Sequence, residues 1–199
     1  MSKPPGRPKS LPPRLLAIAQ HIRPTATVID VGTDHGFIPI YLAQRGHTER
    51  LIAMDIAPGP LAQAEGNIAK RGLRDRIELA LSDGLKQLPK LNIDPTTPLD
   101  IVIAGMGGEN IVAILADYIG SQSPVGVAPL GDPPKNSHHT NGRVDPAPTD
   151  AGSSIRYLLQ PMTRVEKLLD FLAKSNLHVE EYSVTEGRRV YRYFVVTAK

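Results

Sequence analysis

Residues Val28 to Leu42, VIDVGTDHGFIPIYL, constrain the fold of this chain more than any other stretch. The β-branched pair Val28-Ile29 with Val31 reads as a short buried strand. The strand breaks at Gly32-Thr33-Asp34-His35-Gly36, and from Ile38 the pattern turns helical, with Ile38, Tyr41 and Leu42 on one face. Strand, glycine-bearing turn and helix make the first unit of a nucleotide-binding α/β domain. In such a domain the turn closes over a ligand held outside the carboxyl end of the strand. By itself the unit also reads as a plain tight connection.

The turn departs from G-x-G-x-x-G, because Asp34 stands where the middle glycine belongs. A carboxylate there repels a pyrophosphate, which disfavours a dinucleotide and an NAD-dependent oxidoreductase. A ligand with a positive centre, hydroxyls and amines fits better, and S-adenosyl-L-methionine has a sulfonium, an amino group and a ribose but no phosphate. The next apolar run, Leu51-Ile52-Ala53-Met54, ends at Asp55. An acid about 20 residues beyond the turn, closing the second strand, is placed to accept hydrogen bonds from ribose hydroxyls. It also suits the cap of the following helix.

The totals narrow the class. A chain of 199 residues holds one α/β domain with a real core. It has 41% hydrophobic residues and no apolar run long enough to span a membrane. MSKPPGRPKS lacks the apolar segment of a signal peptide, and the absence of cysteine excludes disulfides and thiolate metal sites. These features predict a cytoplasmic protein without a metal; oligomeric state is not legible. The net charge is only +3, but Lys3, Arg7, Lys9, Arg14 and Arg23 all precede the first acid, Asp30. A basic arm of this kind often touches a polyanion, while residues 1–10 read better as a solvated, disordered tail.

In chain order, Ser10 is a candidate cap for a helix with Pro12 and Pro13 in its first turn and Leu15, Leu16, Ile18, Ala19 and Ile22 inward. After the second strand, Pro58-Gly59-Pro60 opens a helix that Gly72 closes. Ile77–Leu81 alternates as a third strand and ends in Ser82-Asp83-Gly84, where Asp83 suits either an adenine amine or a turn. Leu99–Ala104 is a buried fourth strand running into Gly105-Met106-Gly107-Gly108. So much backbone freedom at the end of a central strand implies that something approaches the backbone closely. A helix with Ile111, Ile114, Leu115 and Tyr118 on one face follows.

Residues 121–154 are rich in Pro, Gly, Ser, Asn and Asp and read as a disordered insertion, with His138-His139 as solvated loop residues. Ile155–Leu159 is a fifth strand, followed by Gln160-Pro161. Thr163 and Glu166 match a capping box before a helix with Val165, Leu168, Leu169 and Leu172 inward. Residues 177–185 and 190–197 then alternate as a hairpin around Glu186-Gly187. Five βα units and a hairpin predict an open α/β sheet with an antiparallel edge.

This arrangement resembles the Rossmann-like class I S-adenosylmethionine-dependent methyltransferase fold, a mostly parallel seven-stranded sheet with the last strand antiparallel. The ordered motifs DVGTDHGFIPIYL, AMDIAPGPLAQA, LSDGL, IAGMGGENI and LLQPM are similar to the bacterial tRNA adenine-22 N1-methyltransferase family. TDH together with GMGG is specific, and the resemblance runs from about Leu11 to Val196. It implies S-adenosyl-L-methionine as cofactor and tRNA as substrate. It further implies that Asp30, Gly32, Asp34, His35, Asp55, Ile56, Asp83, Gly84, Gly105 and Met106 line the cofactor site. Asp34 and Met106 are the expected catalytic residues, and Arg14, Gly107, Gly108, Gln160 and Arg164 are expected on the substrate side, the two arginines as phosphate contacts or, equally, as ordinary surface charges. Family members usually continue into a helical, coiled-coil-like extension that helps hold tRNA, whereas this sequence stops after the hairpin. That difference and the insertion bear on how RNA is held, not on the cofactor site. The alternatives are another RNA, protein or small-molecule acceptor, or a non-catalytic domain that binds cofactor or RNA.

Overall fold

A computed structural model describes residues 11–122 and 155–198. The expected tail, the Ser10 cap, His138-His139 and nearly all of the expected insertion lie outside those residues. Within them the order is α1 (Pro13–Gln20), β1 (Thr27–Val31), α2 (Phe37–Gln44), β2 (Leu51–Asp55), α3 (Pro58–Ala69) and β3 (Ile77–Leu81). A short 3-10 turn at Leu88–Lys90 leads to β4 (Leu99–Gly107), α4 (Gly108–Gln122), β5 (Ile155–Thr163), α5 (Val165–Lys174), β6 (Leu177–Glu186) and β7 (Arg189–Ala198).

Among the described residues seven strands form one sheet, ordered β3-β2-β1-β4-β5-β7-β6. The first five run parallel, and β7 is antiparallel to both β5 and β6. This is the mostly parallel sheet with an antiparallel end that the sequence predicts. The order in which strands are added reverses between the parallel neighbours β1 and β4, so their carboxyl ends open a crevice between their outgoing loops. β1 and β2 are buried along their whole length, as their β-branched and aliphatic runs require. Helices cover both faces, one apolar cluster gathering Ile101, Leu115 and Phe194 and the other Ile18, Leu51 and Ile68.

Two local expectations fail for the same reason. Thr163 does not cap α5: it is the last residue of β5, and the helix is preceded by Arg164 at φ 55 with no side-chain cap. The tight approach of α4 forces this turn. A Cβ on Gly108 would run into the Arg164 carbonyl, and one on Gly107 would sit 3.4 Å from Thr163 Oγ1. Strand pairing thus continues past Leu159, through a bulge, to Gly107 and Thr163. The expected ends of both strands are three to four residues too early.

The basic arm also needs correcting. Arg23 is buried and does not face a polyanion: its backbone N–H and Nε donate to Asp100 at 2.8 and 2.9 Å. Arg156 Nε and Nη2 reach the same carboxylate at 3.2 and 3.1 Å, and Arg156 also bonds the His21 carbonyl. Asp100, fully buried at the amino end of β4, therefore ties α1, β4 and β5 together at the edge opposite the crevice.

Candidate functional site

The turn after β1 is held by its neighbour β2. Gly32 and Thr33 both donate their N–H to the Met54 carbonyl at 2.9 Å. Asp34 N–H donates to Asp55 Oδ2 at 3.3 Å, and Ala57 N–H donates to Asp55 Oδ1 at 3.1 Å. Asp55 does not cap α3, whose N-cap is Ala57 with no side-chain cap bond; its carboxylate instead ties the Ala57 N–H to the first loop. Each of its oxygens keeps acceptor capacity, since an ionised carboxylate offers about four lone-pair sites.

Three residues of the turn take left-handed backbone angles: Gly32 (φ 71), Asp34 (φ 45) and Gly36 (φ 69). Gly32 has a second requirement, because a Cβ there would lie 2.7 Å from Met106 Cε. The Met106 side chain thus crosses from the end of β4 to lie on the loop after β1. Asp34 carries the strain of a non-glycine residue in this region, which Asp tolerates better than most. Its carboxylate points outward and pairs with His35 Nε2 at 3.3 Å, while the His35 ring stacks on Phe37.

Asp30 sits beneath this turn, buried, with Thr33 Oγ1 donating to its Oδ2 at 2.6 Å. Burial pushes its carboxyl up to about 7; the Thr33 hydrogen bond works against the rise and the charge of Asp55 adds to it. The folded state therefore holds this proton more tightly than the unfolded chain, where an aspartate titrates near 3.8. The sign follows: Asp30's contribution to stability is full below pH of about 4 and is lost as pH rises toward about 7. Relative to Asp30→Asn, the melting temperature of the parent protein without ligand is expected to fall across that window. Parallel curves for the two proteins would show that Asp30 ionises normally.

The remaining predicted cofactor residues gather at the same edge. Ile56 follows Asp55 and is 64% exposed, and Leu81, paired in register with Asp55, is 54% exposed. Two large apolar side chains left in water at adjacent strand ends flank the Asp55 carboxylate. Asp83 is exposed and ion-paired to Lys86 at 2.5 Å. Gly84 has a packing role, since a Cβ there would press on Ile114 of α4 at 3.1 Å. At Gly105 (φ 85) no atom of the described residues lies within 4 Å of where a Cβ would stand. A cleft between the β1 and β4 loops is lined by Leu15, Asp30, Gly32, Thr33, Phe37, Ile38 and Ala104. Sequence reasoning passed over Thr33, Phe37 and Leu15 in this role; only Phe37, an aromatic directly after the αL glycine, carried a local signal.

The substrate-side residues divide. Gln160 is fully buried within β5 beside Ala104; its Nε2 donates to the Pro161 carbonyl at 2.9 Å, and its Oε1 has no hydrogen-bond partner among the described residues. Gly107 and Gly108 pack against the β5–α5 turn. Arg164 pairs with Glu109 at 3.2 Å. Arg14 is held by Glu186 of β6, its Nη1 lying 3.0 and 3.2 Å from the two carboxylate oxygens. Both arginines stand at the carboxyl edge, but each already has an acidic partner. Among the described residues no cluster of His, Asp or Glu is placed to hold a metal ion, and no helix is long and apolar enough to cross a membrane.

Known proteins with this arrangement are informative. Residues 11–128 match the family model described as a methyltransferase domain. The tRNA (adenine(22)-N(1))-methyltransferase of Bacillus subtilis is 35% identical over 102 residues, covering 51% of this chain and 41% of that protein. The chain spans about two fifths of the length of such curated relatives. The solved structure of M. capricolum TrmK with S-adenosyl-homocysteine superposes with a TM-score of 0.67 at 26% identity, covering 94% of this chain and 68% of that one. The B. subtilis m1A22 tRNA methyltransferase TrmK gives a TM-score of 0.69 at 25% identity over 96% of this chain and 67% of that one. With its family match extending over more than half of its length, this chain belongs to the methyltransferase-domain family.

Proposed function

We propose that this protein is an S-adenosyl-L-methionine-dependent methyltransferase acting on N1 of an adenine in tRNA, in the cytoplasm. The observation that carries the reading is the buried Asp55 carboxylate between exposed Ile56 and Leu81, beside a glycine turn with an outward acid. It combines an acceptor for ribose hydroxyls with apolar cover for a flat ring. The likeness to the B. subtilis and M. capricolum proteins supports the same substrate class.

The residues fit the cofactor on physical grounds. Asp30 is a buried carboxyl whose shift owes nothing to a cation among the described residues, and a positive group entering the cleft would favour its ionised form. Gly105 leaves backbone approachable, since no atom of the described residues lies within 4 Å of where its Cβ would stand, whereas Met106 Cε already covers Gly32. Asp55 would hold the ribose, Ile56 and Leu81 would cover the adenine, and Asp83 would accept from its amine. When bound, S-adenosyl-L-methionine supplies an electrophilic methyl group on a sulfonium.

N1 of a neutral adenine has a free lone pair, so no base is required to activate it. The work left to the protein is positioning and exclusion of water. N1 lies on the pairing edge, so the base must be unpaired or flipped out. Met106, folded over Gly32, and the open Gly105 backbone would hold it. The methylated base is positive, and Asp34 would stabilise the charge as it develops.

Asp55→Ala removes a charge-assisted acceptor and frees the Asp34 backbone. The expected loss is roughly 1.5–3 kcal/mol, or about one to two decades in cofactor affinity by calorimetry. Unchanged affinity would reduce Asp55 to a tie between the loops after β1 and β2. The acceptor class is tested with labelled cofactor: transfer to bulk tRNA and not to protein extract is expected, and the reverse would overturn the RNA reading.

A further inference from the structure

The β6–β7 hairpin carries charge that none of the chemistry above uses. β7 pairs with β5 only from Phe194 to Thr197; from Arg189 to Tyr193 it pairs with β6 alone. Because β7 runs antiparallel to β5, this two-stranded arm continues toward the carboxyl edge of the sheet, where the Gly105–Gly108 loop lies. Its place there is fixed by α1. Arg14 of the first helical turn donates its backbone N–H and its guanidinium to Glu186, and the next residue, Leu15, lines the cleft. Tyr182 and Tyr193 stack on each other lower on the arm and contact His21 at the other end of α1.

The tip itself is Gly187-Arg188-Arg189-Val190, exposed throughout, with Val190 at 66%. Glu186, the nearest acid, is already neutralised by Arg14. Arg188 and Arg189 have no ion pair or hydrogen bond to a side chain among the described residues, unlike Arg14, Arg50, Arg164 and Arg192. Two exposed arginines consecutive in sequence, followed by an exposed β-branched residue on a braced arm at the carboxyl edge, suit a strand of phosphates with sugar or base against the valine.

We propose that the hairpin tip, Arg188, Arg189 and Val190, is a docking surface for the phosphodiester backbone of the RNA whose base enters the cleft. This rests on the RNA-acceptor reading. The contact positions the substrate and reads no sequence, so it adds affinity and a steep salt dependence. Arg14 contributes by holding Glu186, which would otherwise repel the same phosphates.

The test measures tRNA binding against salt concentration for the full chain, for Arg188→Gln/Arg189→Gln, and for a control, Lys70→Gln/Arg74→Gln. The control removes the same charge from exposed positions between α3 and β3, at the amino edge. Each phosphate contact contributes a slope of about 0.7 to 0.9, so the hairpin variant should lose about 1.4 to 1.8 and bind about tenfold or more weakly at low salt. Its cofactor affinity should match the parent, which also shows that it is folded. The control should stay near the parental slope. A hairpin variant with the parental slope, or a control that loses as much, overturns the proposal, as does parent protein that binds polyglutamate as tightly as tRNA. If the parent methylates tRNA and the slopes coincide, only the hairpin assignment falls; if it neither binds nor methylates tRNA, the RNA-acceptor reading falls with it.

Discussion

Asp100→Ala is expected to destabilise the domain by about 3–5 kcal/mol, a large part of the stability of a domain this size. Asp100 is fully buried, and both of its arginine partners are nearly so. Its carboxylate takes the Arg23 backbone and guanidinium and the Arg156 guanidinium within 3.2 Å. Removing it takes the shared carboxylate away from two buried guanidiniums, which costs far more than the net worth of the ion pairs. Urea unfolding of the variant checks this, and a loss under about 1 kcal/mol would contradict it. The triple replacement Arg23→Met/Asp100→Leu/Arg156→Met should recover most of the loss, because apolar side chains of similar volume carry no uncompensated charge. None of these residues lies at the crevice, so cofactor affinity of the folded fraction should hold.

The second large effect is on chemistry. Asp34→Asn keeps the shape of the side chain and tolerates the φ of 45 at that position, so the loop should keep its geometry. The Asp34 backbone N–H to Asp55 is untouched by the change. What disappears is the negative charge that the proposed mechanism sets near the acceptor base. In a site closed to water such a group contributes a few kcal/mol, so single-turnover methylation should slow on the order of a hundredfold or more. The carboxylate is 59% exposed and lies 3.3 Å from His35 Nε2, so its full effect depends on the RNA covering it. Slow chemistry with near-parental cofactor binding supports the role. Weak binding with normal chemistry makes Asp34 a cofactor ligand only, and no change in either removes it from the mechanism.

Much of the site was readable because its determinants are local. The β-branched runs that end at Val31 and Asp55, the glycines at 32 and 36, and the hairpin between two alternating runs each depend on residues within a few positions. Their expected places hold. What was not readable depends on partners far along the chain. Arg14 looked like a free cation until Glu186, 172 residues away, was found across from it. Arg23 looked like part of a basic arm because Asp100 meets it only when β4 lies beside β1. The capping box at Thr163 matched its pattern, yet the close passage of Gly108 extends the strand and turns Arg164 into the left-handed region. Local propensity lost there to packing between helix and strand. The elevated carboxyl of Asp30 was equally hidden, since it arises from burial under a turn.

The central claim is that the crevice between β1 and β4 transfers a methyl group to N1 of an adenine in tRNA. Incubation of unmethylated tRNA with the protein and isotopically labelled S-adenosyl-L-methionine, followed by mass spectrometry of the digested nucleosides, tests it most directly. The account predicts labelled 1-methyladenosine, absent from the parallel reaction with Asp55→Ala at cofactor concentrations well below that variant's dissociation constant. Label on another nucleoside or only on protein, or none on any nucleoside while the cofactor binds, would contradict it.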